Sequence, residues 1–283
     1  MKICDLHTHS NYSDGTLTPT ELIDLAVASG ISAIALCDHN TIDGVKEFKA
    51  AAKDKPIIAV AGAEITTEYN GIELHILGIS IPDESLNSVN DFCASLNERK
   101  REANKKLVAA LNAAGYKVDY EKLVSLTAKG QINRAHVASE LVKNGYCETV
   151  RDAFKTLLRD GGEFYKSPKR EDSFESIAFL RKIGVVPVFA HPFFSTTPEN
   201  LTDFWSKAKA SGLVGMETLY PMYDEKTTAL AKETAEKYGF LHSGGSDFHG
   251  ENKPHIILGK GCGDLAVPYE FYEKLINFKN TLK

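Results

Sequence analysis

The sequence has no apolar run that approaches the roughly 18–20 residues needed to cross a membrane as a helix, so we expect no membrane-spanning segment. Its first ten residues, MKICDLHTHS, lack the basic and apolar regions of a signal peptide, which predicts that the chain is not exported. The five cysteines are scattered and form no CxxC motif, so a disulfide framework is not expected. These absences together predict a soluble, cytoplasmic protein with reduced thiols.

Low-complexity segments and internal repeats are also absent, and 43% hydrophobic and 25% charged residues are ordinary values for a globular protein. The formal net charge of −5 is unevenly spread along the chain. Residues 98–170 contain 16 Lys/Arg and 9 Asp/Glu. The rest of the chain contains 17 Lys/Arg and 29 Asp/Glu. This asymmetry suggests an acidic body that binds cations and a basic segment that attracts anions, although a chance excess on a solvated helical surface explains the counts equally well.

Short β-type runs alternate with helical patterns, which is typical of parallel strands joined by crossover helices. Strands are predicted at 3–6, 33–36, 57–61, 185–190, 213–217 and 240–243, with helices at about 18–29, 43–53, 172–183, 198–211 and 225–238. Between them, helical patterns at about 89–114, 119–127, 134–143 and 148–159 follow one another without a β-run. The sequence therefore predicts an α/β barrel formed by residues 1–83 and 168–283, with an all-helical insertion at 84–167.

Six of the nine histidines lie at or just beyond the end of a β-type run, each near a carboxylate or another histidine. His7 and His9 are two residues apart, so both imidazoles can project to the same side of an extended segment. In barrels of parallel strands, the active site lies at the carboxyl ends of the strands. We therefore expect nine distant side chains to converge there: His7, His9, Asp14, His39, Glu64, His75, His191, Asp247 and His249.

Imidazole and carboxylate ligands suit Mn, Fe or Zn ions. Nine ligands are too many for one ion that takes about four to six, so two or three divalent ions are predicted. Single residues have simpler explanations: Asp14 lies in a Ser-Asp-Gly turn, and Asp38 can orient a neighbouring ligand instead of binding metal. The joint pattern of strand-end histidines and carboxylates favours the metal site.

The motifs HTHSNYSDG, CDHNT, GAEI, ELHILG, AHP and GSDFHG occur in the order seen in the PHP family (polymerase and histidinol phosphatase), which the chain resembles over essentially its whole length. The resemblance implies a distorted (β/α)7 barrel with up to three metal ions. One ion would be held by His7, His9, Glu64 and Asp247. A second would share Glu64 with His75 and His191, and a third would be held by Asp14, His39 and His249. Glu64, Asp247 and His191 are thereby implied to be catalytic.

Within this family, the chain is similar to small stand-alone members that remove phosphate from nucleoside 3′,5′-bisphosphates or trim short RNAs from the 5′ end. The segment QINRAH at 131–136 resembles their Arg-Pro-His segment, although Ala135 replaces the proline. The stretch 153–165 matches more loosely, because LLR stands at 157–159 where Tyr-Leu-Gly is common. We therefore expect Arg134 to bind phosphate, and His136 to hydrogen-bond the substrate or protonate the leaving oxygen. The insertion would then be a substrate-binding lid.

The expected reaction is hydrolysis of a phosphate ester by a hydroxide that bridges the metal ions and forms near neutral pH. One alternative is a histidinol-phosphate-type phosphatase acting on a small molecule. Another is a non-catalytic, metal-binding regulatory module, although the complete ligand sets argue against it. Amide hydrolysis on a related barrel commonly uses a lysine bridge, and no lysine lies at a predicted strand end. Long duplex nucleic acid is not an expected partner, since the chain offers no extended basic face.

Overall fold

The computed structural model describes residues 2–126 and 132–281. The described strands, in chain order, are β1 (Ile3–Thr8), β2 (Ile31–Leu36), β3 (Ile58–Tyr69), β4 (Ile72–Ile79), β5 (Glu171–Asp172), β6 (Val186–Phe189), β7 (Gly215–Leu219), β8 (Leu241–Gly244) and β9 (Val267–Pro268). They form one sheet in the order β8-β7-β6-β4-β3-β2-β1-β9, and β5 pairs with β3.

The described helices, in chain order, are α1 (Pro19–Ala28), α2 (Val45–Ala51), α3 (Leu86–Ala113), α4 (Tyr120–Leu126), α5 (Arg134–Lys143), α6 (Val150–Lys155), α7 (Ser173–Lys182), α8 (Pro192–Ser195), α9 (Phe204–Ser211), α10 (Glu225–Tyr238) and α11 (Tyr269–Asn280). At the start of α1, the Thr18 hydroxyl accepts a hydrogen bond from the Glu21 amide, and the Glu21 carboxylate accepts one from the Thr18 amide. This capping box fixes the start of the helix that follows the first loop of the barrel. None of the described helices is long and apolar enough to cross a membrane.

The two ends of the sheet meet beyond β1 and β8. The Asp247 amide donates to the His7 carbonyl at 2.8 Å, and the His9 amide donates to the Phe248 carbonyl at 3.0 Å. Thr8 and Phe248 form a parallel bridge at the same place. These contacts bring the sheet close to a closed barrel, and the predicted α/β barrel is confirmed.

The direction of β4 differs from the expectation of parallel strands. β3 continues well past the predicted end at residue 61, and β4 runs antiparallel to both β3 and β6. The turn between β3 and β4 is Asn70-Gly71, where both residues have positive φ, and this dipeptide favours a tight hairpin. His75 lies within β4, beside the carboxyl end of β6, where the Ala190 amide donates to the His75 carbonyl at 3.0 Å.

The sequence patterns also missed α11 and β9. Tyr269 and Phe271 of α11 pack against a cluster of buried side chains from the barrel strands, and Leu275 belongs to that cluster. β9 pairs antiparallel with the first residues of β1, next to the start of α11. The carboxyl-terminal segment therefore completes the core of the barrel.

The chain divides into two compact units, residues 1–93 with 171–283 and residues 94–170. The first unit contains the sheet. The second contains α4, α5, α6 and most of α3, and it has its own core, in which Leu107, Leu111 and Leu141 are buried. Gln131, the first residue of the predicted phosphate-binding segment, lies outside the described residues.

Candidate metal centre

His7 and His9, on β1 and just after it, have fully buried side chains that approach the same carboxylates. The Nε2 atom of each lies 3.3 Å from Oε2 of Glu64. Nε2 of His9 also lies 3.2 Å from Oδ1 of Asp247, and Nε2 of His7 lies 3.6 Å from the same oxygen. The four residues expected to hold one ion are thus close together.

Glu64 is fully buried within β3, and its carboxylate lies at the centre of the cluster. Its Oε2 is 3.1 Å from Nδ1 of His39, in addition to its contacts with the two β1 imidazoles. Its Oε1 is 2.8 Å from Nδ1 of His75 and 3.1 Å from Nε2 of His191. Because the two oxygens face different sets of imidazoles, this carboxylate is suited to bridging two cations.

Asp14 and His249 form the outer edge of the cluster. Oδ1 of Asp14 is 3.3 Å from Nε2 of His249 and 3.7 Å from Nδ1 of His9, and its Oδ2 is 3.7 Å from Nε2 of His39. The Asp14 side chain is 53% exposed, more than any other of the nine predicted ligands. The cluster therefore opens to solvent on this side.

The donor atoms of this cluster fit divalent cations. Among the described residues, three groups can each hold an ion: His9, Asp14, His39 and His249; His7, His9 and Glu64; and His39, Glu64 and His75. Nε2 of His7, both ring nitrogens of His9, Nδ1 of His75 and Oε2 of Glu64 are buried and have no hydrogen-bond partner among the described residues. Leaving a buried polar atom without a partner costs about 1–3 kcal/mol, and a shared cation would satisfy several of these atoms at once.

The charges of the cluster favour the metal-coordinating forms of Glu64 and His9, whereas at His7 and His75 the nearby carboxylates outweigh burial and raise the pKa of His7 well above its usual value and that of His75 to about 10. Burial disfavours the ionised form of Glu64, but the surrounding imidazoles hold the pKa of this carboxyl well below its usual value. Burial, together with the neighbouring His249 imidazole, lowers the pKa of His9 to about 3. Glu64 is therefore ionised and His9 is neutral near pH 7, as metal ligands must be.

Glu217 was not predicted as a site residue. It is a fully buried residue of β7, and its Oε1 lies 3.1 Å from Nδ1 of His7. Its Oε2 accepts the backbone hydrogen of His191 at an N···O distance of 2.7 Å. Glu217 ends one of the predicted strands, so the rule that identified Glu64, a carboxylate at a strand end, could also have found it.

Two further side chains contact Asp247. The Tyr220 hydroxyl donates to Oδ2 of Asp247 at 2.9 Å, and Nζ of Lys253 lies 2.6 Å from the same oxygen. The other oxygen, Oδ1, faces the imidazoles of the cluster. Lys253 lies in an irregular segment where no sequence pattern could have identified it.

Two buried aspartates hold the loops that carry predicted ligands. Asp38 accepts hydrogen bonds from the Ser10 amide at 2.8 Å, the Ser10 hydroxyl at 2.7 Å and the Ser13 hydroxyl at 2.6 Å. Asp5 likewise accepts hydrogen bonds from the Ser246 amide at 2.9 Å and from the Ser246 hydroxyl at 2.5 Å. The orienting role considered for Asp38 therefore acts on the turn after β1.

Gly245 lies where the loop after β8 passes β1, and we expect Gly245→Ala to disturb the cluster. A Cβ atom at this position would be 2.4 Å from the His7 nitrogen and 2.5 Å from the His7 Cβ, so the two segments must separate. We expect a loss of about 1–3 kcal/mol in the free energy of unfolding, together with a lower bound-metal content. Denaturant unfolding and elemental analysis measure both quantities.

Gly30→Ala is the control for this variant. A Cβ at Gly30 meets no atom within 4 Å, although its φ of +73° makes alanine unfavourable. This variant should lose some stability through backbone strain while keeping the wild-type metal content. Equal metal contents in the two variants would contradict the close-contact explanation.

Arg134 begins α5 in the second unit. Its guanidinium carbon lies 4.5 Å from the centre of the Tyr165 ring and 5.4 Å from that of Phe154. Its Nη1 donates to the Leu158 carbonyl at 3.3 Å. Stacking fixes the plane of the guanidinium and leaves further N–H donors available for an anion.

His136 takes part in the cap of the same helix. Its Nδ1 accepts the Asn133 amide hydrogen at 3.0 Å, and the Asn133 side chain accepts the His136 amide hydrogen at 3.1 Å. Burial and the charge of Lys100 lower the pKa of His136. The neutral ring therefore carries its hydrogen on Nε2. Of its two predicted roles, this contact favours hydrogen-bond donation to a ligand over proton transfer.

The sequence matches a known family model. The model of the PHP domain covers residues 5–163, more than half of the chain. The chain belongs to the PHP family. The family assignment made from the motifs is confirmed.

Relatives with assigned activities cover nearly the whole chain. It is 32% identical to a 5′-3′ exoribonuclease of Haemophilus influenzae, over 87% of this chain and 89% of the relative. It is 30% identical to a 3′,5′-nucleoside bisphosphate phosphatase of Chromobacterium violaceum, over 88% of each. A crystal structure from Bifidobacterium adolescentis, provisionally described as a metal-dependent phosphoesterase, matches with a TM-score of 0.78 and 25% identity over 98% of this chain and 96% of that one. The predicted class, a metal-dependent hydrolase of phosphate esters, is confirmed.

Proposed function

We propose that this PHP-family protein hydrolyses nucleoside 3′,5′-bisphosphates or short 5′-phosphorylated oligoribonucleotides. The observation that carries the proposal is the buried Glu64 carboxylate, whose oxygens lie 2.8–3.3 Å from nitrogens of five imidazoles. Such a cluster can concentrate positive charge where an anionic ester reacts. The activities assigned to the two relatives support a substrate that is a nucleotide or RNA.

The proposed cofactors are two or three divalent ions, Mn, Fe or Zn. The proposed ligand sets are His7, His9, Glu64 and Asp247; Glu64, His75 and His191; and Asp14, His39 and His249. Bound there, the ions supply the Lewis acidity that activates water and neutralises charge on the phosphoryl oxygens. Glu64, Asp247 and His191 are proposed as catalytic residues because they hold charge and donor atoms next to the reacting phosphate.

Arg134 is the proposed phosphate-binding residue. Its planar guanidinium can donate two parallel hydrogen bonds to phosphate, and its position in the first turn of α5 adds the attraction of a helix amino terminus. Nε2 of His136 is proposed to donate to the substrate from the same turn. Residues 84–167 would then serve as the substrate-binding lid.

The protein is proposed to act in the cytoplasm. Cys4, Cys37 and Cys93 are buried free thiols, and Cys147 and Cys262 are also unpaired. Unpaired thiols are typical of a reducing compartment. The proposed partner is a small phosphorylated substrate and not a long duplex.

A substrate panel tests this function. Mn-loaded protein is incubated separately with nucleoside monophosphates, a nucleoside 3′,5′-bisphosphate, histidinol phosphate and a short 5′-phosphorylated RNA. We expect phosphate release from the bisphosphate or mononucleotide release from the RNA, at rates well above those for histidinol phosphate. Turnover of histidinol phosphate alone would indicate a small-molecule phosphatase, and metal binding without any turnover would indicate a regulatory module. Either result contradicts the proposal.

A further inference from the structure

Glu217 contacts two of the proposed metal ligands at once. Its Oε1 lies 3.1 Å from Nδ1 of His7, and its Oε2 accepts the His191 backbone hydrogen at 2.7 Å. The Glu217 side chain is fully buried, and it belongs to none of the three ion-holding groups that the described residues form. Both carboxylate oxygens are thus engaged with ligand residues and not with the centre of the cluster.

The contact with His7 determines which ring nitrogen is available to a cation. A neutral imidazole carries one N–H, and a carboxylate beside Nδ1 keeps that hydrogen on Nδ1. The lone pair is then on Nε2, the atom that lies 3.3 Å from Oε2 of Glu64. Glu217 therefore presents His7 in the tautomer that can coordinate metal.

The contact with His191 holds an unusual backbone conformation. His191 has φ of 33° and ψ of 51°, in the left-handed region that side chains other than glycine seldom adopt. Its amide donates to Glu217, while its ring Nδ1 lies 2.8 Å from the Ser195 hydroxyl and its Nε2 lies 3.1 Å from Oε1 of Glu64. The hydrogen bond to Glu217 compensates for the strained turn and aims the ring at the cluster.

His7 and His191 contact opposite oxygens of Glu64, and their rings stack with centroids 5.6 Å apart. We propose that Glu217 is a positioning residue that orients His7 and His191 on both sides of the bridging carboxylate, and so sets the affinity of two ions together. This inference rests on the proposed metal centre and assigns it a residue outside the nine predicted ligands.

Glu217→Gln separates this role from simple packing, because glutamine has almost the same shape. If its oxygen accepts the His191 amide hydrogen, its NH2 group faces Nδ1 of His7 and favours the tautomer with hydrogen on Nε2. That tautomer has no lone pair directed at the cluster. We expect dissociation constants for Mn and Zn, measured by chelator competition without substrate, to rise about 10–100-fold.

The control is Glu233→Gln, the same chemical change at an exposed position on α10, which should leave metal affinity unchanged. The unfolding midpoint of the metal-free protein is the second readout, because a purely structural role would lower it without altering metal affinity. In addition, 15N-histidine spectra of the Zn-loaded wild type should show the His7 hydrogen on Nδ1. Wild-type metal affinity in a folded Glu217→Gln protein would overturn the inference.

Glu217→Asp provides the same test if the glutamine variant does not fold. The shorter carboxylate keeps its charge but cannot reach both His7 and His191, so metal affinity should again fall. A wild-type affinity in this variant would also overturn the inference. A wild-type protein that binds no metal would instead refute the proposed function, so the two failures are distinguishable.

Discussion

Glu64→Gln is expected to lower turnover by about a thousandfold, because it replaces the central anion of the cluster with a neutral amide. The glutamine NH2 group would face imidazole nitrogens that now lie 2.8–3.3 Å from carboxylate oxygens. If Glu64 bridges two ions as proposed, its loss should remove several kcal/mol of charge stabilisation, which corresponds to about three orders of magnitude in rate. Steady-state kinetics with the preferred substrate of the panel measures the loss, and elemental analysis should show at least one ion fewer per chain.

The control for this prediction is again Glu233→Gln, which removes an exposed carboxylate from α10. It should retain wild-type turnover and metal content. The Glu64 variant should also unfold cooperatively, which separates loss of the metal site from loss of the fold. Retention of even a tenth of wild-type turnover with full metal content would show that Glu64 is not the bridge.

Asp14→Ala and His249→Ala are each expected to reduce turnover by about two orders of magnitude while the fold remains intact. The two side chains meet at the open edge of the cluster, where Oδ1 of Asp14 lies 3.3 Å from Nε2 of His249. Neither variant changes the contacts that join Glu64 to His75 and His191. Each variant should therefore lose one ion and keep the others, as measured by elemental analysis alongside kinetics.

Asp43→Ala serves as the control, since it removes a carboxylate that belongs to none of the three ion-holding groups of the described residues. It should keep the wild-type ion content. Wild-type turnover in either Asp14→Ala or His249→Ala would remove the outer ion from the mechanism. If either variant instead lost all of its bound ions, the prediction of a separate outer ion would be wrong.

The convergence of the nine predicted ligands followed from the sequence because most of them lie near the carboxyl ends of parallel strands. His75 is the instructive exception, since it reaches Glu64 from the middle of an antiparallel strand. Its strand could not be oriented from periodicity, because alternation of side chains is the same in both directions. The Asn70-Gly71 turn was the local signal for the reversal.

The residues around the ligands were harder to predict. Glu217 ends a predicted strand and could have been selected by its residue type, but its contact with His7 depends on the tertiary structure. The contacts of Tyr220 and Lys253 with Asp247 depend on it in the same way, and no sequence pattern indicates them. The same limit applies to the stretch 153–165, whose sequence does not indicate that its Phe154 and Tyr165 rings stack on Arg134. Local chemistry predicted which side chains would converge, whereas the contacts that hold them in place depend on the tertiary structure.

The backbone pairing between His7 and Asp247 joins two segments that lie far apart in the sequence. The predicted ligands His7 and His9 are synthesised long before the loop with Asp247 and His249. An ion bound to both His7 and Asp247 would hold β1 and the loop after β8 against each other. We therefore expect metal loading to favour the pairing of β1 with the loop after β8, so the free energy of unfolding should rise with the concentration of free metal.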